Sequence, residues 1–195
     1  QESAGIAVSD GSRVLVYKEM GLVSQVFNEN SLGMLQGHIA IGHCRYSTTG
    51  SSTWENAQPT LGASGEHTIA LAHNGNLINS AELRGIVMNS PLADSVGELK
   101  RGNTTDTALV TAMLTDSQQG TLEQRAREVL PKLRGAFSFV FMDEHTLYAA
   151  RDPQGIRPLV LGRLDRGWVI ASETAALDIV GASTVREVES GELIA

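Results

Sequence analysis

The sequence predicts an α+β fold built on antiparallel sheets. Three observations carry this reading. Strand-like segments bracket a helical middle and do not alternate with helices one by one, which is the order of an α+β domain and not of a doubly wound one. The first two apolar runs flank Asp10-Gly11, a dipeptide suited to a tight hairpin turn. Near the C-terminal third, Phe137, Phe139 and Phe141 recur at the period of two that marks one face of a strand. The chain of 195 residues is 42% hydrophobic and 19% charged, without repeats, low-complexity tracts or linkers, so residues 1–195 read as one compact domain.

Along the chain, Ile6-Ala7-Val8 and Val14-Leu15-Val16-Tyr17 form the opening hairpin. Ile39 to Tyr46 reads as a strand. Ile39, Ile41, His43 and Arg45 then share one face and Cys44 lies on the other, where it is expected to be a buried, inert thiol. Thr68 to Ala72 is a strand running into His73-Asn74-Gly75-Asn76. Three helices follow, each opened by a capping-box pattern: Asn79 with Glu82, Asn103 with Asp106, and Thr121 with Gln124. Behind these caps the apolar residues fall at helical spacing, as in Leu122, Ala126, Val129, Leu130 and Leu133. Ala136 to Met142, Leu147 to Ala150, Leu159 to Leu161 and Trp168 to Ala171 complete the strands. The phenylalanine stripe reads as a surface that packs a sheet on helices.

Composition excludes several functions. A net charge of −7 without a basic cluster argues against nucleic acid and against an anionic membrane surface. No apolar run approaches the ~20 residues of a membrane span, and the polar opening Gln1-Glu2-Ser3 is not a signal peptide. A single cysteine rules out an intrachain disulfide and fits a reducing, cytoplasmic compartment. No His-x3-His or Cys-x2-Cys spacing points to a metal, and His43 and Cys44 face opposite ways.

Four polar segments are candidates for chemistry. In His43-Cys44-Arg45-Tyr46-Ser47-Thr48-Thr49-Gly50, an arginine ends an apolar strand and calls for an anion. A substrate carboxylate and a structural salt bridge are equally open. Ala72-His73-Asn74-Gly75-Asn76 is an ordinary Asn-Gly turn or an oxyanion hole, in which an Asn amide and a Gly N–H meet on one oxygen. In Gly102-Asn103-Thr104-Thr105-Asp106-Thr107, Asp106 is explained by the helix N-terminus, and it could also hold an ammonium group. Arg151-Asp152-Pro153-Gln154-Gly155-Ile156-Arg157-Pro158-Leu159 reads as a rigid, internally paired connector between strands.

Together these segments resemble the class II, N-terminal-nucleophile glutamine amidotransferase domain, in the form carried by amidophosphoribosyltransferases. The resemblance rests on Gln1-Glu2-Ser3-Ala4-Gly5-Ile6, Arg45-Tyr46-Ser47-Thr48-Thr49-Gly50, Trp54-Glu55-Asn56-Ala57-Gln58-Pro59, His73-Asn74-Gly75-Asn76-Leu77 and Asp152 to Leu159, and it covers the whole chain. It implies a four-layer αββα sandwich. It implies that Arg45, with Thr48, binds the glutamine α-carboxylate, that Asp106 takes the α-ammonium, that Asn74 and Gly75 form the oxyanion hole, and that Tyr46 belongs to a loop closing over substrate. The nucleophile of that family is an N-terminal cysteine, which this sequence, starting at Gln1, does not contain. The expectation is therefore a domain without its first strand and helix and without the phosphoribosyltransferase domain that would follow, inactive by itself. For the parent protein the resemblance implies glutamine hydrolysis feeding ammonia to phosphoribosyl pyrophosphate in purine biosynthesis, Mg2+ as a cofactor, and a homo-oligomer. An iron–sulfur cluster is left open, and Cys44 alone could not hold one. A different class II enzyme, such as a glucosamine-phosphate, glutamate or asparagine synthase, and a catalytically dead binding module are the alternatives.

Overall fold

The computed structural model describes residues 1–46, 53–64, 67–116 and 120–195. Strands β1 (Ser3–Ser9) and β2 (Val14–Met20) form the expected hairpin, with Ser9 opposite Val14. Gly11 adopts the positive φ of 92° that its turn requires, and the Asp10 carboxylate closes the turn by accepting from the N–H groups of Ser12 and Arg13. Two short helices follow, α1 (Val23–Val26) and α2 (Glu29–Met34), neither of which the sequence pattern announced. Strand β3 (Ile39–Arg45) then pairs with the free side of β1, giving the order β2-β1-β3. It ends one residue before the expected Tyr46.

A five-stranded sheet forms the centre. It contains β4 (Thr60–Ser64), β5 (His67–Leu77), β6 (Gly135–Met142) and β7 (Leu147–Arg151). A third sheet has the order β10-β8-β9, from β8 (Val160–Leu164), β9 (Gly167–Ala171) and β10 (Ser183–Glu187). The last strand, β11 (Leu193–Ile194), returns to the central sheet, whose order is β11-β7-β6-β5-β4. Neighbouring strands are antiparallel throughout the described residues, as the α+β reading requires.

Helices α3 (Ser80–Met88), α4 (Gly97–Lys100), α5 (Asp106–Leu114) and α6 (Leu122–Val129) fill the middle of the chain. The phenylalanine stripe does what was expected of it. Phe137, Phe139 and Phe141 are buried on one face of β6, against Leu83 and Val87 of α3, Leu109 and Met113 of α5, and Ala126 and Val129 of α6. Each such side chain contributes about 1.5–3 kcal/mol by leaving water. Helix α5 lies between the sheet and its neighbouring helices, and all of Thr107 to Leu114 is buried.

The opposite face of the central sheet carries small residues, Ala70 and Ala72, with Met142. They pack on Ala7, Val14 and Ile41 of the first sheet. Farther along, Ala149 packs on Leu159 and Val188. A last helix, α7 (Thr174–Val180), covers the outer face of the third sheet through Leu177, against Val160 and Ala182. The layers are therefore helices, central sheet, a second β layer divided into two three-stranded sheets, and an outer helix. This is the αββα arrangement.

Two of the three expected capping boxes are not formed. Thr121 and Gln124 do exchange their reciprocal bonds. Asn79 is diverted instead: its Nδ2 donates to the Lys132 carbonyl at 3.0 Å, and its Oδ1 accepts from the Arg134 N–H at 3.0 Å. It ties the entry of α3 to the entry of β6. Asn103 donates to the Asn56 side chain, and α5 is capped by Thr105, whose Oγ1 accepts from the Ala108 N–H.

Candidate active site

The site grows from an unequal pairing. Strand β5 is eleven residues long, and β4 pairs with it only from His67 to Leu71. Strand β6 stays with it as far as Leu77. From Ala72 onward, β5 thus has a strand partner on one side only among the described residues. His73-Asn74-Gly75-Asn76 is not a turn, as its Asn-Gly suggested in isolation; it continues the strand, because Ala136 to Phe139 of β6 hold it in register.

On the uncovered edge, side chains replace the missing strand. The His73 N–H donates to Gln58 Oε1 at 2.7 Å, and the Leu77 N–H donates to Asp106 Oδ2 at 3.1 Å. N–H groups two residues apart point to the same edge of a strand. The N–H of Gly75, midway between these two, therefore faces the same edge, which no strand of the described residues covers. Glycine is required there, since a Cβ on Gly75 would run into the Ala136 carbonyl oxygen and lie 2.8 Å from His73 Nε2.

This edge forms one wall of a cleft of about 1030 Å³. Arg45, Tyr46, Asn74, Gly75 and Asp106 all line it, so the structure brings together the expected site residues it describes. Thr48 lies outside the described residues. Arg45 ends β3 with only 8% of its surface exposed, and its Nη1 is 3.5 Å from Glu2 Oε2. Both readings of this arginine thus persist: it has a carboxylate neighbour, and it faces the cleft. Tyr46 is 77% exposed at the rim.

Asp106 opens α5, and its carboxylate is held below the ordinary value of 3.8. Burial pushes it up and is the largest single effect. It is outweighed by the His73 ring, whose Nδ1 lies 3.6 Å from Oδ2, and by the N–H groups of Leu77 and Thr107. Asp106 thus presents a stable negative charge to the cleft. His43 on β3 behaves oppositely to an exposed histidine. Burial pushes its pKa down to about 4, partly opposed by its bond to the His73 carbonyl. The neutral ring donates from Nε2 to that carbonyl at 3.1 Å.

The expected burial of Cys44 is corrected: the thiol is exposed and borders the cleft. Alternation along β3 holds, with Ile41 and Arg45 buried and Ala40, Gly42 and Cys44 exposed. The error lay in assuming that both faces of β3 are covered. Its inward face packs on the central sheet, and its outward residues Ala40, Gly42 and Cys44 are left exposed.

Sequence reasoning also gave no site role to Ser80, Arg157, Ser172 and Glu173, which line the cleft. The Arg151–Leu159 connector is as internally paired as expected. Asp152, fully buried, accepts from the N–H groups of Phe137, Gln154 and Ile156. Arg151 spends its guanidinium on the carbonyls of Gly155, Arg157 and Val188. Of the three charges only Arg157 is left over, and it reaches the Asn74 side chain. That surplus charge was the one available signal. Among the described residues no three His, Cys, Asp or Glu side chains converge as a metal site.

Residues 43–179 match the glutamine amidotransferase domain. The whole chain is 59% identical to an amidophosphoribosyltransferase of Mycobacterium bovis, covering 37% of that protein, and 39% identical to one of Bacillus subtilis, covering 40%. The chain thus spans well under half the length of these curated relatives. Among solved structures, the allosteric regulatory enzyme of purine biosynthesis superposes with a TM-score of 0.87 at 38% identity, over 99% of this chain and 40% of that one. The glutamine phosphoribosylpyrophosphate amidotransferase of B. subtilis, complexed with ADP and GMP, gives 0.85 at the same identity and the same coverage of each chain. A class-II glutamine aminotransferase domain protein of Silicibacter pomeroyi shares the fold at 18% identity, with a TM-score of 0.58 over 98% of this chain and 85% of that one. With more than half of its residues matched and its αββα layers shared, the chain belongs to the glutamine amidotransferase domain family.

Proposed function

We propose that this domain hydrolyses the side-chain amide of glutamine, and that in the whole protein the released ammonia converts phosphoribosyl pyrophosphate to 5-phosphoribosylamine. The observation that carries the reading is the uncovered edge of β5, which offers the Gly75 N–H beside the Asn74 amide in a cleft that also holds one buried cation and one stabilised anion. Glutamine is a zwitterion with an amide at its far end. Arg45 suits its carboxylate, since a guanidinium forks onto two oxygens. Asp106 suits its ammonium.

In this mechanism a thiol attacks the amide carbon. The carbonyl electrons move onto oxygen, and the resulting anion accepts from Asn74 Nδ2 and the Gly75 N–H. Collapse expels the nitrogen as ammonia and leaves a glutamyl thioester, which water opens to glutamate. The family resemblance assigns the thiol to an N-terminal cysteine, and no residue of this sequence takes that part. Cys44 sits on the outward face of β3, away from Arg45. The phosphoribosyl transfer belongs to a second domain of the same polypeptide, with Mg2+ held there, and a homo-oligomer is the proposed assembly.

The test is glutamate formation from glutamine by the full-length protein. Turnover should be lost in Arg45→Ala and Asp106→Asn and kept in Cys44→Ala. Turnover that disappears with Cys44→Ala, or is indifferent to both Arg45 and Asp106, would overturn the reading.

A further inference from the structure

An asparagine amide can serve an oxyanion only if its NH2 end, not its oxygen, faces the substrate. The backbone cannot decide this, because the two ends of the amide have nearly the same shape. On β5, Asn74 Oδ1 accepts two hydrogen bonds from one guanidinium, from Arg157 Nε at 3.1 Å and from an Arg157 terminal nitrogen at 2.5 Å. Arginine has donors only. The flipped amide would turn its own N–H groups against that fork, so Arg157 permits one sense alone. With the oxygen so held, Nδ2 points the other way. It donates to Ser172 Oγ at 3.2 Å, which leaves its second N–H for the cleft that both residues line.

We infer that Arg157 is a positioning residue for glutamine hydrolysis: it fixes the sense of the Asn74 amide and polarises it toward the developing oxyanion. The inference rests on the proposed amidotransferase reading and adds to it a residue outside the glutamine-binding set. Two features support it beyond the contact itself. First, the Arg157 backbone is immobilised from both sides. Its N–H donates to buried Asp152, and its carbonyl accepts from Arg151 Nε at 2.8 Å and Ser138 Oγ at 3.1 Å. The connector therefore delivers the side chain to β5 from a rigid base, although the two residues stand 83 positions apart. Second, the guanidinium carries a full charge on the amide oxygen, which draws electron density from the amide nitrogen and strengthens its N–H as a donor. Both effects matter more for the charged transition state than for bound glutamine, so they belong in kcat and not in KM.

The experiment is steady-state glutamine hydrolysis by the full-length protein, as wild type, Arg157→Met, Arg157→Lys, Asn74→Ala and the double variant Asn74→Ala/Arg157→Met. Loss of one oxyanion donor lowers kcat by ~10²–10³, the expectation for Asn74→Ala. Arg157→Met should lower kcat about tenfold, with KM for glutamine within about twofold of wild type, because it loosens that donor without deleting it. Arg157→Lys, which keeps the charge but not the fork, should fall between. On the Asn74→Ala background, Arg157→Met should change kcat by less than about twofold, since its only route to the reaction is already gone. The inference is overturned if Arg157→Met leaves kcat unchanged, if it acts on KM alone, or if it costs the same factor with and without Asn74. Should Arg157→Met fail to fold, the same cycle run with Arg157→Lys decides between these outcomes. A wild type that does not hydrolyse glutamine strikes the proposed function itself; an unaffected Arg157 variant of an active enzyme strikes only this inference.

Discussion

Asp106, the first residue of α5, accepts a hydrogen bond at 3.1 Å from the backbone N–H of Leu77, the last residue of β5. One carboxylate thus ends the uncovered edge of a strand, starts a buried helix and faces the cleft. Replacement by asparagine preserves an oxygen for the Leu77 bond and removes the charge. Under the proposed function, Asp106→Asn and Arg45→Ala are therefore expected to cripple glutamine-dependent synthesis in the full-length protein while leaving synthesis from free ammonia intact. Truncating one partner of a hydrogen-bonded charge pair costs on the order of 2–5 kcal/mol. Equal loss of both activities would assign the two residues to the scaffold.

The same carboxylate makes a pH prediction. Its pKa is lower in the native state than the ordinary 3.8, so it contributes stability that is present above that value and lost as pH falls through the lowered native one. Asp106→Asn should therefore flatten the fall of the urea midpoint below about pH 4. An unchanged acid limb would remove His73 and the two N–H groups as its stabilising partners.

His43 acts in a higher window. Its native pKa of about 4 lies below the ordinary 6.5, with burial as the first cause. The unfolded chain takes up the proton first, so stability contributed above pH 6.5 is lost progressively down to pH 4, by up to about 1.4 kcal/mol per pH unit. His43→Gln should make the urea midpoint less sensitive to pH in that interval. Histidine NMR offers a direct check: a His43 ring that titrates near 6.5 in the folded protein contradicts the prediction.

Lys18 of β2 and Glu98 of α4 form a buried ion pair, Nζ to Oε1 at 2.6 Å, with side chains 5% and 8% exposed. Lys18 Nζ also donates to the Ala57 carbonyl at 2.7 Å, and the Trp54 ring lies 5.0 Å from it. Removing one partner strands the other charge in the interior. Glu98→Leu should cost about 3–5 kcal/mol by chemical denaturation, and Lys18→Met in the same chain should restore most of it. A single variant within about 0.5 kcal/mol of wild type would show that water reaches the pair.

Gly75→Ala tests the edge of β5. The added methyl would collide with the Ala136 carbonyl and press on His73. The expected result is loss of glutamine turnover together with a destabilisation of about 1–3 kcal/mol, the usual cost of overpacking. Full activity would exclude close substrate approach at this backbone.

Local rules made part of this protein legible. The Asp10-Gly11 turn, the Thr121–Gln124 capping box, the alternation along β3 and the phenylalanine stripe each depend on residues within a few positions of one another, and each is found where the sequence placed it. The charges at Arg45 and Asp106 were legible as candidates for the same reason. Tertiary structure decided the rest, because it settles competition between partners that are distant in sequence. Asn79 and Asn103 had the residues of capping boxes, but Lys132, Arg134 and Asn56 offered other bonds. His73-Asn74-Gly75-Asn76 had the residues of a turn, but β6 supplied a ladder and β4 stopped short. Cys44 had the residue type of a core position, but β3 lies at a sheet edge. The sense of the Asn74 amide depends on Arg157, and no periodicity connects residues that meet only when the connector folds back over the sheet.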